Sequence, residues 1–586
     1  MRLSVYDTVH NRIDHVWSLD ETGSVSFTQY HYHYDSSGAL VYTVTGSIRS
    51  DVEGLTGVTV DNVRALTASD IDTLLGAGMS IAVYDTGHNR IDHIWSREDS
   101  GKARFTRYHY DANGNLVYTL TGADKVQVQN VTGITLANVD SLDETDVEAI
   151  LGSGMSISVY DITHNRIDHT WSRSDQGDTV TFTQYHYDNV GNIVYTISGS
   201  ERASVENATS ITTANAATLS ESDINNALGD GMSVAVYDTA LNRIDHVWSK
   251  EETGDISFTG YFYNSDNELA YTLTADARSL VENEANITVS NVNALTETQI
   301  DGYLNNGMVL SVYDTVNNRV DHTWTVTENG DRVFTDYNYD SLGKLVYTVT
   351  GENRADVTGL AGVSVDTAAA LSESDIDSIL SAGMSIAVYD TVNNRVDHRW
   401  SRSQSGEASF TKFHYDSQGR LVFTVSGQVR SEVEGVSGIT VNNIDTITQS
   451  EIENSLGAGL SISVYDLAAN RIDHVWSRDD SGRTTFTQHF YNTSGELIYT
   501  ITGAGRTEVE NVSGITGDNY DSLTQAQASS FLADSMSLSV YVNAGQTIQH
   551  VWAKNSKGET TFTQYHYDNN DELVYTVTGE TRSAVE

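Results

Sequence analysis

One phrase recurs along the whole chain and divides it into eight copies of one module. Each copy has a tryptophan near the end of a segment such as NRIDHVWS or NRIDHTWS, and successive tryptophans are 76 to 78 residues apart. The eight are Trp17, Trp95, Trp171, Trp248, Trp324, Trp400, Trp476 and Trp552. Because a fixed period of this length is the signature of repeat proteins, it constrains the fold before any single residue is considered.

The period predicts eight small structural units. Their predicted ranges are 1–78, 79–154, 155–231, 232–307, 308–383, 384–459, 460–535 and 536–586. A unit of this size is marginally stable alone, and the chain has no cysteine for a disulfide, so we expect contacts between neighbouring repeats to stabilise each one. The last repeat has an incomplete linker, so we interpret the chain as a segment of a longer array.

The sequence of each module predicts two β-hairpins. In the second copy, residues 81–85 and 90–96 are β-type runs around the polar turn GHN, and residues 105–110 and 116–121 flank the turn DANG. Such runs predict four antiparallel strands in a meander. Since side chains alternate along a strand, we expect Ile91, His93 and Trp95 on the core face and Asp92 with Ile94 on the wetter face.

The linker after each meander carries helix signals. In the first linker Thr67 and Asp70 form a capping box, Ile71, Leu74 and Leu75 make an apolar stripe, and Gly76 stands where a C-terminal cap glycine belongs. Such a short helix is stable only when it packs on a sheet. The predicted fold class is therefore α+β and β-rich, a tandem array of eight modules, each a four-stranded antiparallel meander plus a linker with one short helix. The alternative is an eight-bladed β-propeller.

The most chemical-looking residues are the Asp–His pair and the tryptophan beside it, as in Asp14, His15 and Trp17. An aspartate can orient a histidine, and the eight tryptophans could stack sugar rings, which keeps carbohydrate binding as an alternative. Because adjacent strand residues point to opposite faces, we expect Asp14 not to orient His15 and favour a structural role. We predict no catalytic and no cofactor-binding residues.

Two metal hypotheses follow from the sequence. A histidine pair such as His93 with His109 recurs in only some copies, because Phe262 replaces the second histidine in the fourth repeat, and this argues against an imidazole site. Calcium stays possible, since carboxylate-bearing turns such as those at Asp35 and Asp188 are numerous, although an aspartate that opens a turn usually bonds to its own backbone. The identity of any metal ligand is left open.

Charge excludes several classes of partner. The chain carries 80 acidic and 33 basic residues, a formal net charge of −47. Its field repels nucleic acid and anionic lipid surfaces. No run of 18 apolar residues is present, so we expect no membrane insertion.

The segment YHYDANGNLVYTLTG, with Tyr108, Tyr110, Asp111, Gly114 and Leu116, resembles the YD repeat of Rhs and teneurin-type proteins. The segment YDTGHNRIDH in the same module looks like a looser version of it. The resemblance implies an extracellular, hairpin-built, non-catalytic architecture. The chain departs from the family pattern because a helical linker interrupts each pair of hairpins.

The repetition of the module indicates which class of function the chain has. A catalytic site is one asymmetric cluster, whereas every conspicuous residue here recurs in most copies, so we do not expect an enzyme. We predict a structural or adhesive segment of a large secreted or cell-surface protein, extended or fibrous, whose partners are neighbouring repeats or copies of itself. The alternative is a multivalent, lectin-like protein that binds polysaccharide.

Overall fold

The structure is a computed structural model, and it describes residues 1–19, 25–33, 38–98, 101–174, 179–467, 469, 471–493, 495–542, 547–567 and 573–585. The chain forms two compact units. Unit 1 comprises Met1–Thr323 and Asp340–Lys344, and unit 2 comprises Trp324–Tyr339 and Leu345–Glu586.

Unit 1 is built from successive antiparallel meanders. Its strands are β1 Arg2–Asp7, β2 Arg12–Leu19, β3 Val25–Tyr32, β4 Leu40–Gly46, β5 Ser80–Asp85, β6 Arg90–Arg97, β7 Ala103–Tyr110, β8 Leu116–Gly122, β9 Ser156–Asp161, β10 Arg166–Arg173, β11 Val180–Tyr187, β12 Ile193–Gly199, β13 Met232–Asp238, β14 Arg243–Lys250, β15 Ile256–Tyr263, β16 Leu269–Ala275 and β17 Val309–Asp314. Each pairs antiparallel with the next along the chain.

Unit 2 repeats the same arrangement. The strand β18 Arg319–Val326 contains the boundary between the units. The strands of unit 2 are β19 Arg332–Tyr339, β20 Leu345–Gly351, β21 Ser385–Asp390, β22 Arg395–Arg402, β23 Ala408–Tyr415, β24 Leu421–Gly427, β25 Ser461–Asp466, β26 Arg471–Arg478, β27 Thr484–Tyr491, β28 Leu497–Gly503, β29 Ser537–Val542, β30 Thr547–Lys554, β31 Thr560–Tyr567 and β32 Leu573–Gly579. Consecutive strands again pair antiparallel.

Successive modules within each unit share one hydrogen-bonded ladder. The fourth strand of one module pairs with the first strand of the next, as in β4 and β5, where Tyr42 lies opposite Val83 and Thr45 opposite Ser80. The blades of a propeller are separate sheets, so the alternative of an eight-bladed propeller is wrong. The tandem array of antiparallel meanders is confirmed, while the eight repeat boundaries stay a prediction.

One face of the meander is the core. In the second repeat Ile81, Val83, Trp95 and Phe105 have no exposed surface. The rings of Trp95 and Phe105 meet edge to face, with centroids 4.8 Å apart at 62°, an arrangement that contributes about 0.5–1.5 kcal/mol beyond area burial. Met79, at the start of the repeat, is 5% exposed and completes this core.

The linkers contain more helix than the one predicted element. Each complete linker has two short α-helices. Those of unit 1 are α1 Arg49–Glu53, α2 Ala68–Leu74, α3 Lys125–Gln129, α4 Glu144–Ile150, α5 Arg202–Glu206, α6 Glu221–Ala227, α7 Arg278–Glu282 and α8 Glu297–Tyr303. Those of unit 2 are α9 Arg354–Thr358, α10 Glu373–Ile379, α11 Arg430–Glu434, α12 Gln449–Ser455, α13 Arg506–Glu510, α14 Gln525–Phe531 and α15 Arg582–Val585. Single 3-10 turns precede α2, α4, α6, α8, α10 and α12 at Val63–Ala65, Val139–Ser141, Ala216–Thr218, Val292–Ala294, Ala368–Ala370 and Ile444–Thr446.

The predicted capping of the second linker helix is confirmed in α2. The Thr67 side chain accepts from the Asp70 amide, and the Asp70 side chain accepts from the Thr67 amide. Leu75 ends the helix with an extended backbone and places its side chain, 2% exposed, in the core. Gly76 is therefore not the left-handed cap that we expected; the positive φ, 72°, belongs to Gly78 two residues later.

A β-bulge interrupts the second strand of the module at its aspartate. Val83 lies opposite His93 and Tyr84 opposite Ile91, so Asp92 has no partner across the ladder. Equivalent shifts occur in other repeats. The expected alternation is wrong at Ile91, because the extra residue moves this side chain to the face of Tyr84, away from His93.

The covering helices should determine the stability of their own repeat. Ile376 of α10 has no exposed surface, so Ile376→Ala should destabilise that repeat by about 2–5 kcal/mol. Amide hydrogen exchange of β21 to β24 measures this locally. Asp377→Ala, on the exposed side of the same helix, is the control and should leave exchange nearly unchanged; equal effects of the two substitutions would contradict this role of the helix.

Candidate functional site

The structure brings the Asp–His pair together, contrary to the sequence-based expectation. His93 Nδ1 lies 2.6 Å from Asp92 Oδ2. The bulge is the physical reason, because it turns the unpaired aspartate toward its neighbour. The same contact, at 2.6–2.8 Å, occurs in the first seven repeats.

The pair is buried on the histidine side. His93 is 3% exposed, and its ring packs against Phe105 with centroids 5.1 Å apart. The hydrogen bond from His93 holds the pKa of Asp92 below its usual range. With Nδ1 donating to the carboxylate, Nε2 points into the core, where no described residue bonds to it. A general base needs a substrate within hydrogen-bond reach, and this nitrogen has no access to one.

In the eighth repeat an aspartate from a different element faces the histidine. Gln549 stands where the other repeats have Asp. In its place Asp521, from the preceding linker, brings Oδ1 to 3.7 Å from His550 Nδ1. A carboxylate thus faces the buried imidazole in this repeat too. That the carboxylate comes from a different element here favours a structural role beside the buried imidazole.

The tryptophans lie inside the modules. Trp95, Trp171, Trp248, Trp324, Trp400, Trp476 and Trp552 each have no exposed surface, whereas Trp17 is half-buried. Because neighbouring side chains cover the seven buried rings, these rings offer no face to a sugar in this structure.

One group of side chains within the described residues resembles a metal site. Ligand atoms of Asp140, Asp168 and His169 lie within 4.8 Å of one another. The guanidinium of Arg202 is already there: Nη1 donates to the Asp140 carbonyl oxygen at 2.7 Å, and its charge helps to lower the pKa of Asp168 after the larger effect of the His169 hydrogen bond. This positive charge disfavours a cation at the same place.

The calcium hypothesis stays a prediction. In the turn at Asp188, Oδ1 accepts from the amides of Val190 and Asn192, and Oδ2 accepts from the Asn192 side chain. These bonds use the carboxylate to stabilise its own turn. Asp35, the other example, lies outside the described residues.

Sequence reasoning missed the contact that joins successive linkers, which we call the arginine clamp. In α11 the Nη1 of Arg430 donates to the carbonyl oxygens of Ala369 at 2.9 Å and Leu371 at 3.0 Å in the preceding linker. Its backbone amide donates to Glu373, and its guanidinium lies 5.3 Å from the centre of the Phe410 ring. One side chain thereby connects two linkers and the sheet beneath them.

The clamp recurs at the repeat period. Residues at the equivalent position that reach a carbonyl of the preceding linker are Lys125, Arg202, Arg278, Arg430, Arg506 and Arg582. A signal was available: in a chain with only 33 basic residues, a basic residue opens the first helix of every linker. The contact could not be predicted from this signal, because the acceptors are backbone atoms roughly 60 positions earlier in the chain.

Comparison with known proteins gives fold likeness at most. No protein-family model and no curated protein matches the chain. Among solved structures it is similar to the TcdB2-TccC3 crystal structure without the hypervariable C-terminal region (12% identity, TM-score 0.19, 98% of this chain, 22% of that chain). It is also similar to the Photorhabdus luminescens Tc holotoxin pore (12%, 0.19, 98% and 25%) and to TcdB2-TccC3 (12%, 0.17, 98% and 33%).

These likenesses carry no functional conclusion. The chain spans between about a fifth and a third of the length of the three solved chains, and TM-scores below 0.2 assign neither family nor partner. The likeness to YD repeats remains one of sequence, although the hairpin it implied is present as β7 and β8, with Gly114 at φ 89° in the turn. In the described part of the chain no helix has the length and apolarity needed to cross a membrane.

Removing a clamp should loosen the linkers that it joins. Arg430→Ala removes two hydrogen bonds from a charged donor, each worth about 1.5–3 kcal/mol, so faster hydrogen exchange is expected in both 354–380 and 430–456. The matched control is Arg49→Ala, because Arg49 is 47% exposed and pairs with Glu53 without a preceding linker among the described residues. Equal changes in the two variants would contradict a role between repeats.

A second histidine gives the module a pH response. The His109 ring stacks on Tyr118, with centroids 4.2 Å apart at 8°, and burial lowers the pKa of His109 to about 4. Phe262 occupies this position in the fourth repeat and stacks on Tyr271 at 4.4 Å. Burial also lowers the pKa values of the equivalent His31, His186 and His414, and that of His489, which stands one residue earlier on its strand.

Acidification should therefore destabilise these repeats. The unfolded histidine binds a proton below its usual pKa of about 6.5, whereas folded His109 does so only near 4, so the free energy of unfolding falls as pH falls through this window and is unaffected by His109 above it. His109→Phe should reduce the pH dependence of hydrogen exchange in β7 and β8, and Phe262→His should increase it in β15 and β16. Identical profiles for both variants and the native chain would exclude this explanation.

Proposed function

We propose that the chain is a non-catalytic structural scaffold, a repeat segment of a large secreted or cell-surface protein that serves adhesion, matrix or surface coating. The observation that carries the proposal is the arginine clamp. Recurring polar contacts among the described residues join one repeat to the next, as Arg430 joins Ala369 and Leu371. Contacts of this kind serve cohesion between repeats.

The buried Asp–His pairs support the same role. A catalyst concentrates its reactive groups at one accessible place, whereas seven repeats here carry the same pair. In repeats 1, 2, 3, 4, 6 and 7 the buried imidazole packs against a phenylalanine. The geometry favours a structural role, in which the hydrogen bond fixes the bulge of the strand and the histidine ring packs in the core. This repetition favours a structural role over a single reaction centre.

The scaffold proposal includes the extended form and the location outside the cytoplasm. The absence of cysteine means that cohesion does not depend on disulfides, so the fold tolerates either redox environment. The net charge of −47 favours solubility of long arrays and limits side-by-side association through repulsion.

Small-angle scattering of chains of increasing length tests the scaffold. Chains ending at predicted boundaries, 1–231 and 1–383, are compared with the full chain. The maximum dimension should grow in proportion to the number of repeats, because each repeat contacts only its neighbours. A dimension that stays nearly constant from 383 to 586 residues would contradict the extended form, and antibody labelling of intact cells checks the location.

A further inference from the structure

The sheet face that points away from the helices is nearly free of charge. In the second repeat it presents Tyr84, Ile94, Thr106, Tyr108 and Thr119, as the register of β5 to β8 shows. Equivalent positions in the described strands hold mainly Ser, Thr, Tyr, Val, Ile and Ala, with no aspartate or glutamate. We call this surface the tyrosine face. Its charged members include Arg2, Arg104 and Arg399, and at its border the guanidinium of Arg90 lies over Tyr110, which stacks on Tyr108.

This neutrality contrasts with the rest of the chain. With 80 acidic residues, a face without any carboxylate means that the negative charge is confined to the linkers, the turns and the opposite side of the strands. Acidic side chains on half-buried strand positions would cost little where water is near. Their exclusion from one whole face points to a surface that contacts something uncharged.

Tyrosines recur on this face at every second strand. In unit 1 they are Tyr6, Tyr30, Tyr84, Tyr108, Tyr160, Tyr185, Tyr237, Tyr261 and Tyr313. In unit 2 the same positions hold Tyr337, Tyr389, Phe413, Tyr465, His489, Tyr541 and Tyr565. Since adjacent strands lie about 4.8 Å apart, rings recur about every 9–10 Å across the strands of each unit.

The rings from the first strand of the module lie across the neighbouring strand. The Tyr84 side chain hydrogen-bonds to Thr43, and Tyr160 bonds in the same way to Thr119. The hydroxyl end of each of these rings therefore lies over the neighbouring strand. Consistent with this cover, Thr119 is 4% exposed while Tyr160 is half-buried.

We propose that the tyrosine face binds a neutral linear polysaccharide laid across the strands, with its sugar rings on successive tyrosines. The C–H groups on one side of a pyranose ring form an apolar surface that packs on an aromatic face. The serine and threonine hydroxyls between the tyrosines, such as Thr106 and Thr121, whose oxygens lie 3.0 Å apart, supply donors and acceptors for sugar hydroxyls.

Two observations select this occupant. Aromatic rings on every second strand match a ligand that itself repeats, which a chain of identical sugars does and a folded protein surface does not. The net charge of −47 opposes polyanions such as nucleic acid or acidic glycans, so the polymer must be uncharged. This site differs from the buried tryptophans, and its failure would leave the scaffold proposal intact.

Isothermal titration of the full chain with cellohexaose, xylohexaose and chitohexaose tests the proposal, with polygalacturonate as the anionic comparison. At least one neutral hexaose should bind, at least about tenfold tighter than its disaccharide, because it spans more than one ring. Polygalacturonate should not bind. The proposal would be overturned if none of the neutral hexaoses gave a heat of binding, or if the anionic polymer bound equally well.

Substitutions locate the site. The double variant Tyr108→Thr with Tyr160→Thr keeps β propensity and should lower the number of hexaose molecules bound per chain, because the equivalent tyrosines of the other repeats still bind. Tyr108→Phe, which copies the ring type at Phe413, and Asp72→Ala on the linker side should both leave this number unchanged. An unchanged number in the double variant with unchanged thermal unfolding would refute the tyrosine face as the site. If that variant does not fold, Tyr237→Thr with Tyr261→Thr is the equivalent pair and is judged by the same outcome.

Discussion

The pairing of each module's fourth strand with the first strand of the next is the constraint on which the rest of the structure depends. The β4–β5 ladder in unit 1, for example, leaves no free edge between the two repeats that it joins. It also fixes the distance between successive linkers, because each linker begins and ends on strands of the same ladder. Only at that spacing can a side chain such as Arg202 reach the carbonyl of Asp140. The clamp is thus a consequence of the sheet, and it adds directional contacts to a join already made by backbone hydrogen bonds.

The Asp–His pair shows how one extra residue changes the meaning of a motif. Without the bulge, Asp92 and His93 would point to opposite sides of the sheet. With it, the carboxylate turns to the imidazole and accepts a hydrogen bond from its Nδ1. The pair therefore has the composition of a catalytic dyad and the surroundings of a core contact. In the eighth repeat, the approach of Asp521 to His550 preserves that contact from a different element.

Much of the fold was predictable because its signals are local. The hairpins follow from alternating runs and turn residues, and the helix α2 follows from the capping pair Thr67 and Asp70. The face of Ile91 was not predictable, since strict alternation assumes that every strand residue has a partner. The short helices such as α11 were missed because five residues carry little periodicity. The role of Arg430 was missed because its acceptors are main-chain atoms, which have no signature in the side-chain sequence.

The clamp's choice of acceptor has an evolutionary consequence. The carbonyls that it reaches belong to residues as different as Arg64, Asp140 and Ala369. A main-chain oxygen is present whatever the side chain. The residue that supplies the acceptor can therefore be substituted without loss of the hydrogen bond between repeats. Any copy of the gene segment can then be duplicated, deleted or exchanged beside any other, and the number of repeats becomes a quantity that recombination can adjust without redesigning a single interface.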